Sequence, residues 1–121
     1  MTTAAPPLVK ITPVLEPLQR LYLRDQLQDM WRGKVEQITM LAVRFHSFEA
    51  DGKPVEKTAA VAERLASVRL QLHEVEAAMR RMDVGLYGGC EGCKSRIEYD
   101  ELAARPERRR CGACDSPVRQ R

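Results

Sequence analysis

The sequence predicts a mostly α protein: a long antiparallel coiled-coil hairpin followed by a small four-cysteine zinc-finger knob. Three observations carry that expectation. Apolar residues recur in steps of four and three along two stretches separated by Asp51-Gly52-Lys53-Pro54. The last third of the chain holds Cys90-x-x-Cys93 and Cys111-x-x-Cys114, with 17 residues between the pairs. Aromatic residues make up only 5% of the 121 residues, too few for a thick globular core, while Ala, Leu, Val and Met dominate the apolar fraction and favour long helices.

Residues 1–13 contain Pro6, Pro7 and Pro13 among Thr and Ala and read as a flexible arm. The hairpin is expected over residues 14–84. Helical periodicity begins near Leu15, and Pro17 suits a first turn, where its missing N–H is not needed. Trp31, Val35, Ile38, Ala42 and Phe45 form one seam; Val61, Leu65, Val68, Leu72, Val75, Met79 and Met82 form a second, with charged residues between them. The first helix, taken as Leu15 to Phe48, would be ~50 Å long and the second, Pro54 to Met82, ~43 Å at 1.5 Å per residue. A short Gly-Pro connection between matched helices favours pairing within the chain over an intermolecular coiled coil or a bundle. Gly85 stands where the second helix should end.

The rest of the chain, residues 85–121, is expected to be a four-cysteine zinc finger with a short basic tail. Each C-x-x-C turn presents two sulfurs from one tight knuckle, and two knuckles complete a tetrahedron around Zn2+. Gly88, Gly89, Gly92 and Gly112 flank or enter these turns, where positive φ costs little in glycine. A secreted disulfide framework is weighed against this, but no basic, apolar leader precedes Lys10. A thioredoxin-like redox pair would sit in a βαβ context that the pattern lacks. Cys90, Cys93, Cys111 and Cys114 are therefore the expected ligands of one structural zinc, a closed site with no position left for substrate. His46 and His73 lie within the helical stretches and are not spaced as a metal pair.

No stretch of about 18 apolar residues exists, so a membrane span is not expected, and the cysteine chemistry points to the cytoplasm. The formal charge of +3 loses four on thiolate formation and regains two from the ion, leaving +1. Bulk charge therefore argues weakly for nucleic-acid binding. The arginine clusters, Arg80 with Arg81, Arg108 to Arg110, and Arg119 with Arg121, read first as solvated residues around a metal knuckle. An enzyme is not expected, because no nucleophile with a partnered base is evident.

A narrow rod on a compact knob is shaped to reach into a channel rather than to enclose a substrate. Its tip is expected near residues 47–54, where Glu49 and Asp51 supply acidic groups able to act electrostatically on a metal or nucleotide. Equally, Asp51-Gly52 serves simply as a turn.

Met82-Asp83-Val84-Gly85-Leu86-Tyr87-Gly88-Gly89-Cys90-Glu91-Gly92-Cys93, then Leu102-Ala103-Ala104-Arg105-Pro106 and Cys111-Gly112-Ala113-Cys114, resemble the DksA/TraR family of bacterial zinc-finger transcription regulators. The resemblance is tight over residues 82–114, and the hairpin ahead of the finger extends it to most of the chain. It implies a factor that binds bacterial RNA polymerase directly, inserts its coiled coil through the secondary channel and modulates initiation, as a monomer without sequence-specific DNA binding. It also implies a role for Arg105 in nucleotide or polymerase contact. Three positions depart from the family. The tip string Asp-x-x-Asp-x-Ala is absent, leaving Glu49 and Asp51 as the nearest acids; two cations that assist guanosine tetraphosphate are replaced by Glu74 and Asp115. Weak or absent response to that nucleotide is expected. The C-terminal helix that follows the finger in the family is reduced to Asp115–Arg121, interrupted by Pro117. The competing readings are a nucleic-acid-binding zinc-finger protein, resting on the arginines, and a coiled-coil protein–protein adaptor.

Overall fold

The computed structural model describes residues 15–115; the expected arm, and the tail from residue 116 with Pro117, Arg119 and Arg121, lie outside the described residues. The chain folds as helix α1 (Pro17–Ala50), helix α2 (Val55–Asp83), a short α3 (Tyr99–Ala104) and a single turn, α4 (Gly112–Asp115). Among the described residues there is no strand, only an isolated antiparallel bridge between Gly89 and Arg96.

Helix α1 starts two residues later than the periodicity predicts because Glu16 is its N-cap. Glu16 and Gln19 form a reciprocal capping box, the Gln19 amide oxygen accepting the Glu16 N–H at 3.0 Å, and Pro17 fills the first turn. Both long helices end in the same way. At the tip the Lys53 N–H reaches the Phe48 carbonyl (3.0 Å) and the Gly52 N–H reaches Glu49 (3.2 Å); at the base Leu86 reaches Arg81 (2.8 Å) and Gly85 reaches Met82 (3.3 Å). These are paired Schellman bonds, and they put Gly52 at φ +66° and Gly85 at φ +78°, a region costly for any residue with a Cβ. Asp51 is thus the C-cap of α1.

The helices pack antiparallel, with Arg24 opposite Asp83, Trp31 opposite Glu76 and Lys34 opposite Gln71. In α2 the predicted seam holds: Val61, Val68, Val75 and Met82 are buried, and Leu65, Leu72 and Met79 are half-buried. The seam of α1 differs from expectation at its start. Trp31 lies on the flank, 37% exposed, its indole Nε1–H donating to Glu76 at 3.1 Å, while Leu23, Leu27 and Met30 make the inward contacts. Leu23 and Leu27 are fully buried, and the four-three rhythm therefore begins two turns earlier than Trp31 implies. Lys34 is half-buried between the helices and donates to Gln71 at 2.7 Å, a polar rung that disfavours shifted pairings of an otherwise apolar seam.

The main core lies at the hairpin base. Leu23, Leu27, Val75, Ala78 and Met82 pack with Cys90, Ile97 and Leu102, so the knob and the rod share one apolar cluster. Leu102 is completely buried, and full burial of such a side chain stabilises by about 1.5–3 kcal/mol. The rings of Tyr22 and Tyr99 meet at 6.5 Å and tie α1 to α3. No helix among the described residues is long and apolar enough to cross a membrane.

Candidate metal centre

The first knuckle is a small loop closed by the Cys90 N–H on the Ser95 carbonyl (2.8 Å) and the Ile97 N–H on Gly88 (2.7 Å), with Lys94 at φ +64° making the turn. The second knuckle is α4. Between them α3 inserts Leu102 into the core and returns the chain through residues 105–110.

These elements bring the four predicted cysteines together: their sulfurs all lie within 4.8 Å of one another, and Cys93 Sγ and Cys111 Sγ are 3.8 Å apart. A tetrahedron with ~2.3 Å metal–sulfur bonds has edges of ~3.8 Å. The cysteines are not paired as disulfides. Cys90 is buried and Cys93 exposed, with Cys111 and Cys114 between. Burial pushes the Cys90 thiol up, but the N–H groups of Cys93, Cys111 and Gly92, at 3.3–3.5 Å from its sulfur, outweigh it and leave the pKa below the ordinary value. Ser95, whose hydroxyl sits 2.8 Å from the sulfur, holds Cys93 down at about 6. Cys114 is pushed up to about 12, chiefly by Cys111 beside it and by the other two sulfurs. Four crowded thiols cannot all ionise unless a cation takes up their charge, and this donor set fits one soft, tetrahedral divalent ion.

The glycines inside the knuckles have a different use from the one expected. Neither Gly92 nor Gly112 has positive φ. Instead a Cβ on Gly92 would lie 2.9 Å from Cys114 Sγ, and one on Gly112 would lie 2.7 Å from Glu101 Oε1, so both positions are kept small by what approaches them.

Around the cysteines the arginines are engaged rather than solvated, which corrects the reading of Arg81, Arg108 and Arg109. Arg109 makes a two-pronged pair with Glu74 of α2 (2.7 and 3.0 Å) and reaches Glu91 of the first knuckle at 3.0 Å. Arg108 pairs with Glu101 at 3.0 Å, and Arg81 donates to the carbonyls of Glu107 (3.4 Å) and Arg108 (3.3 Å). The Tyr87 hydroxyl donates to the Pro106 carbonyl at 2.8 Å; burial raises its pKa and keeps that proton in place. Arg80 and Arg110 remain exposed.

Arg105 pairs with Asp115 at 3.2 Å. Both line an open cleft of about 470 Å³ between α2 and the finger, together with Glu74, Glu91, Glu107 and Arg109. Glu49 and Asp51 are exposed at the opposite end of the molecule. Glu101 and Glu91 were not singled out by the sequence, where each is one acid among many; the two-residue offset of Glu91 from Cys93 was the only local signal.

No family model and no curated protein matches the chain. Among solved structures, the transcription factor DksA2 from Pseudomonas aeruginosa superposes with a TM-score of 0.77 at 20% sequence identity, covering 87% of this chain and 84% of that one. The similarity spans hairpin and finger together, so the long helical rod on a four-cysteine knob is the fold of DksA2.

Proposed function

We propose that this protein is a transcription regulator that binds RNA polymerase directly and passes its hairpin through the secondary channel toward the active site. The supporting observation is a shape: a two-helix rod about 50 Å long with its acids exposed at one end and a cysteine knob at the other, shared with a transcription factor over most of both chains. Cys90, Cys93, Cys111 and Cys114 hold one structural Zn2+, which fixes the knob and takes no part in chemistry. Glu49 and Asp51 are the working groups of the tip. The protein acts as a cytoplasmic monomer and not as an enzyme.

Of the arginines that favoured nucleic acid, Arg81, Arg108 and Arg109 are engaged internally, while Arg80 and Arg110 are exposed. Arg105, Arg108 and Arg109 each face a carboxylate, and Arg81 faces backbone carbonyls, which reduces the positive charge that these four present to phosphates. The same pairing opposes guanosine tetraphosphate at Arg105, since Asp115 already occupies its guanidinium and Glu74 stands across the cleft. Affinity for core polymerase and for duplex DNA, each at two salt concentrations, tests the reading. A polymerase complex with no tight duplex binding is expected; salt-sensitive DNA binding without a polymerase complex overturns it.

A further inference from the structure

The return segment between the two knuckles, residues 105–110, lies along one face of α2 and is held at two heights. Near the base three successive carbonyls are gripped, those of Glu107 and Arg108 by Arg81 and that of Pro106 by Tyr87. Seven residues, two helical turns, closer to the tip, Glu74 receives both Nε and Nη2 of Arg109. Arg109 turns its remaining nitrogen to Glu91 at 3.0 Å, and its carbonyl accepts the Glu91 N–H at 2.9 Å. One side chain therefore joins α2 to the first knuckle from a position two residues before the ligand Cys111.

Two attachment points spaced along a rod resist tilt in a way that one cannot. The shared apolar cluster holds the knob at the base, but contacts of that kind are non-directional and tolerate sliding. The guanidinium fork is directional, because a two-pronged pair with a carboxylate keeps its geometry only when both groups stay coplanar. From Glu74 to the first residue of α2 is ~29 Å, so a tilt of about 10° released at this point moves the tip by about 5 Å.

We propose that Arg109 is a positioning residue, and that its bridge between Glu74 and Glu91 sets the angle between the hairpin and the cysteine knob. The bridge works in the isolated protein and needs no bound ligand. It accounts for an arrangement in which one guanidinium, two residues from a cysteine of the cluster, engages carboxylates of both neighbouring elements.

Residual dipolar couplings of backbone amides in the zinc-loaded full chain test this, with α2 and the knob fitted separately and then together. In the wild type one alignment tensor should fit both. Arg109→Ala and Glu74→Gln should each require two tensors, while zinc stoichiometry and helix content stay unchanged, and Arg109→Lys, which keeps the charge but loses the fork, should fall between. If Arg109→Ala fails to retain zinc, Glu74→Gln decides alone, because Glu74 lies on α2 away from the cysteines. A single tensor fitting hairpin and knob equally well in these variants overturns the proposal.

Discussion

The carboxylate of Glu101, on α3, accepts hydrogen bonds from the backbone N–H of Gly112 and from Arg108 at the same oxygen. A helix outside both knuckles thus holds the second knuckle by its backbone, in the manner of the outer partners that orient metal ligands. Glu101→Ala should weaken zinc affinity by about 10-fold, in line with the usual cost of losing such a partner. Competition with a chromogenic chelator measures the affinity. Gly112→Ala should cost about 1 kcal/mol, because the new methyl, 2.7 Å from the Glu101 oxygen, pushes that carboxylate off the Gly112 N–H, and urea denaturation reports it.

Removing a ligand should be more severe. Cys111→Ala leaves three sulfurs for a four-coordinate ion, and a structural zinc contributes on the order of 10 kcal/mol to the folded knob. Zinc content should fall from one per chain toward zero and the knob's tertiary signals should vanish. Retained stoichiometry and an unchanged melting curve would contradict the assignment.

The pair between Glu74 and Arg109 should be sensitive to acid. Hydrogen bonding to Arg109 lowers the Glu74 pKa below its ordinary 4.5, against a smaller opposing effect of burial. A depressed folded pKa means that the pair's stabilisation is complete above 4.5 and is lost as pH falls through the lower folded value. Both partners are partly exposed, so the contribution at neutral pH should be under about 1 kcal/mol. The stability difference between wild type and Glu74→Gln, followed from pH 7 downward to the point where the knuckles release zinc, should stay constant above 4.5 and shrink below it. A difference that grows in acid would show that the sign is wrong.

At the tip, chain geometry and chemistry can be separated. Both capping bonds of α1 are made by backbone groups, so Asp51→Ala should leave stability within about 0.5 kcal/mol, whereas Gly52→Val should cost about 1 kcal/mol or more at φ +66°. The double variant of Glu49→Ala with Asp51→Ala should bind polymerase as the wild type does and alter transcription in vitro. Unchanged output would leave both acids as residues of a turn.

How far the sequence could be read depended on the range of each interaction. The heptad of α2 was legible because seven apolar positions repeat in one unbroken helix, and the two Schellman ends were legible at Gly52 and Gly85 because they are local. Trp31 misled because its size marks it as core in any pattern, while its indole N–H is better satisfied at the flank by Glu76. The arginines misled in the opposite sense, since a charge run carries no sign of a partner 35 residues away.

By itself the sequence determined the two helices, their reversal and the grouping of four cysteines, all of which follow from periodicity, backbone preference and ligand spacing over short separations. Tertiary structure alone decided which charges meet and which glycines are crowded. It set Arg109 on Glu74 and Glu91, Arg105 on Asp115, Glu101 under Gly112, and Cys114 against Gly92. The first of these arises only when the knob closes onto α2 over the shared core of Met82, Cys90, Ile97 and Leu102, and the others only when the two knuckles and α3 fold against one another, because the groups lie on different elements.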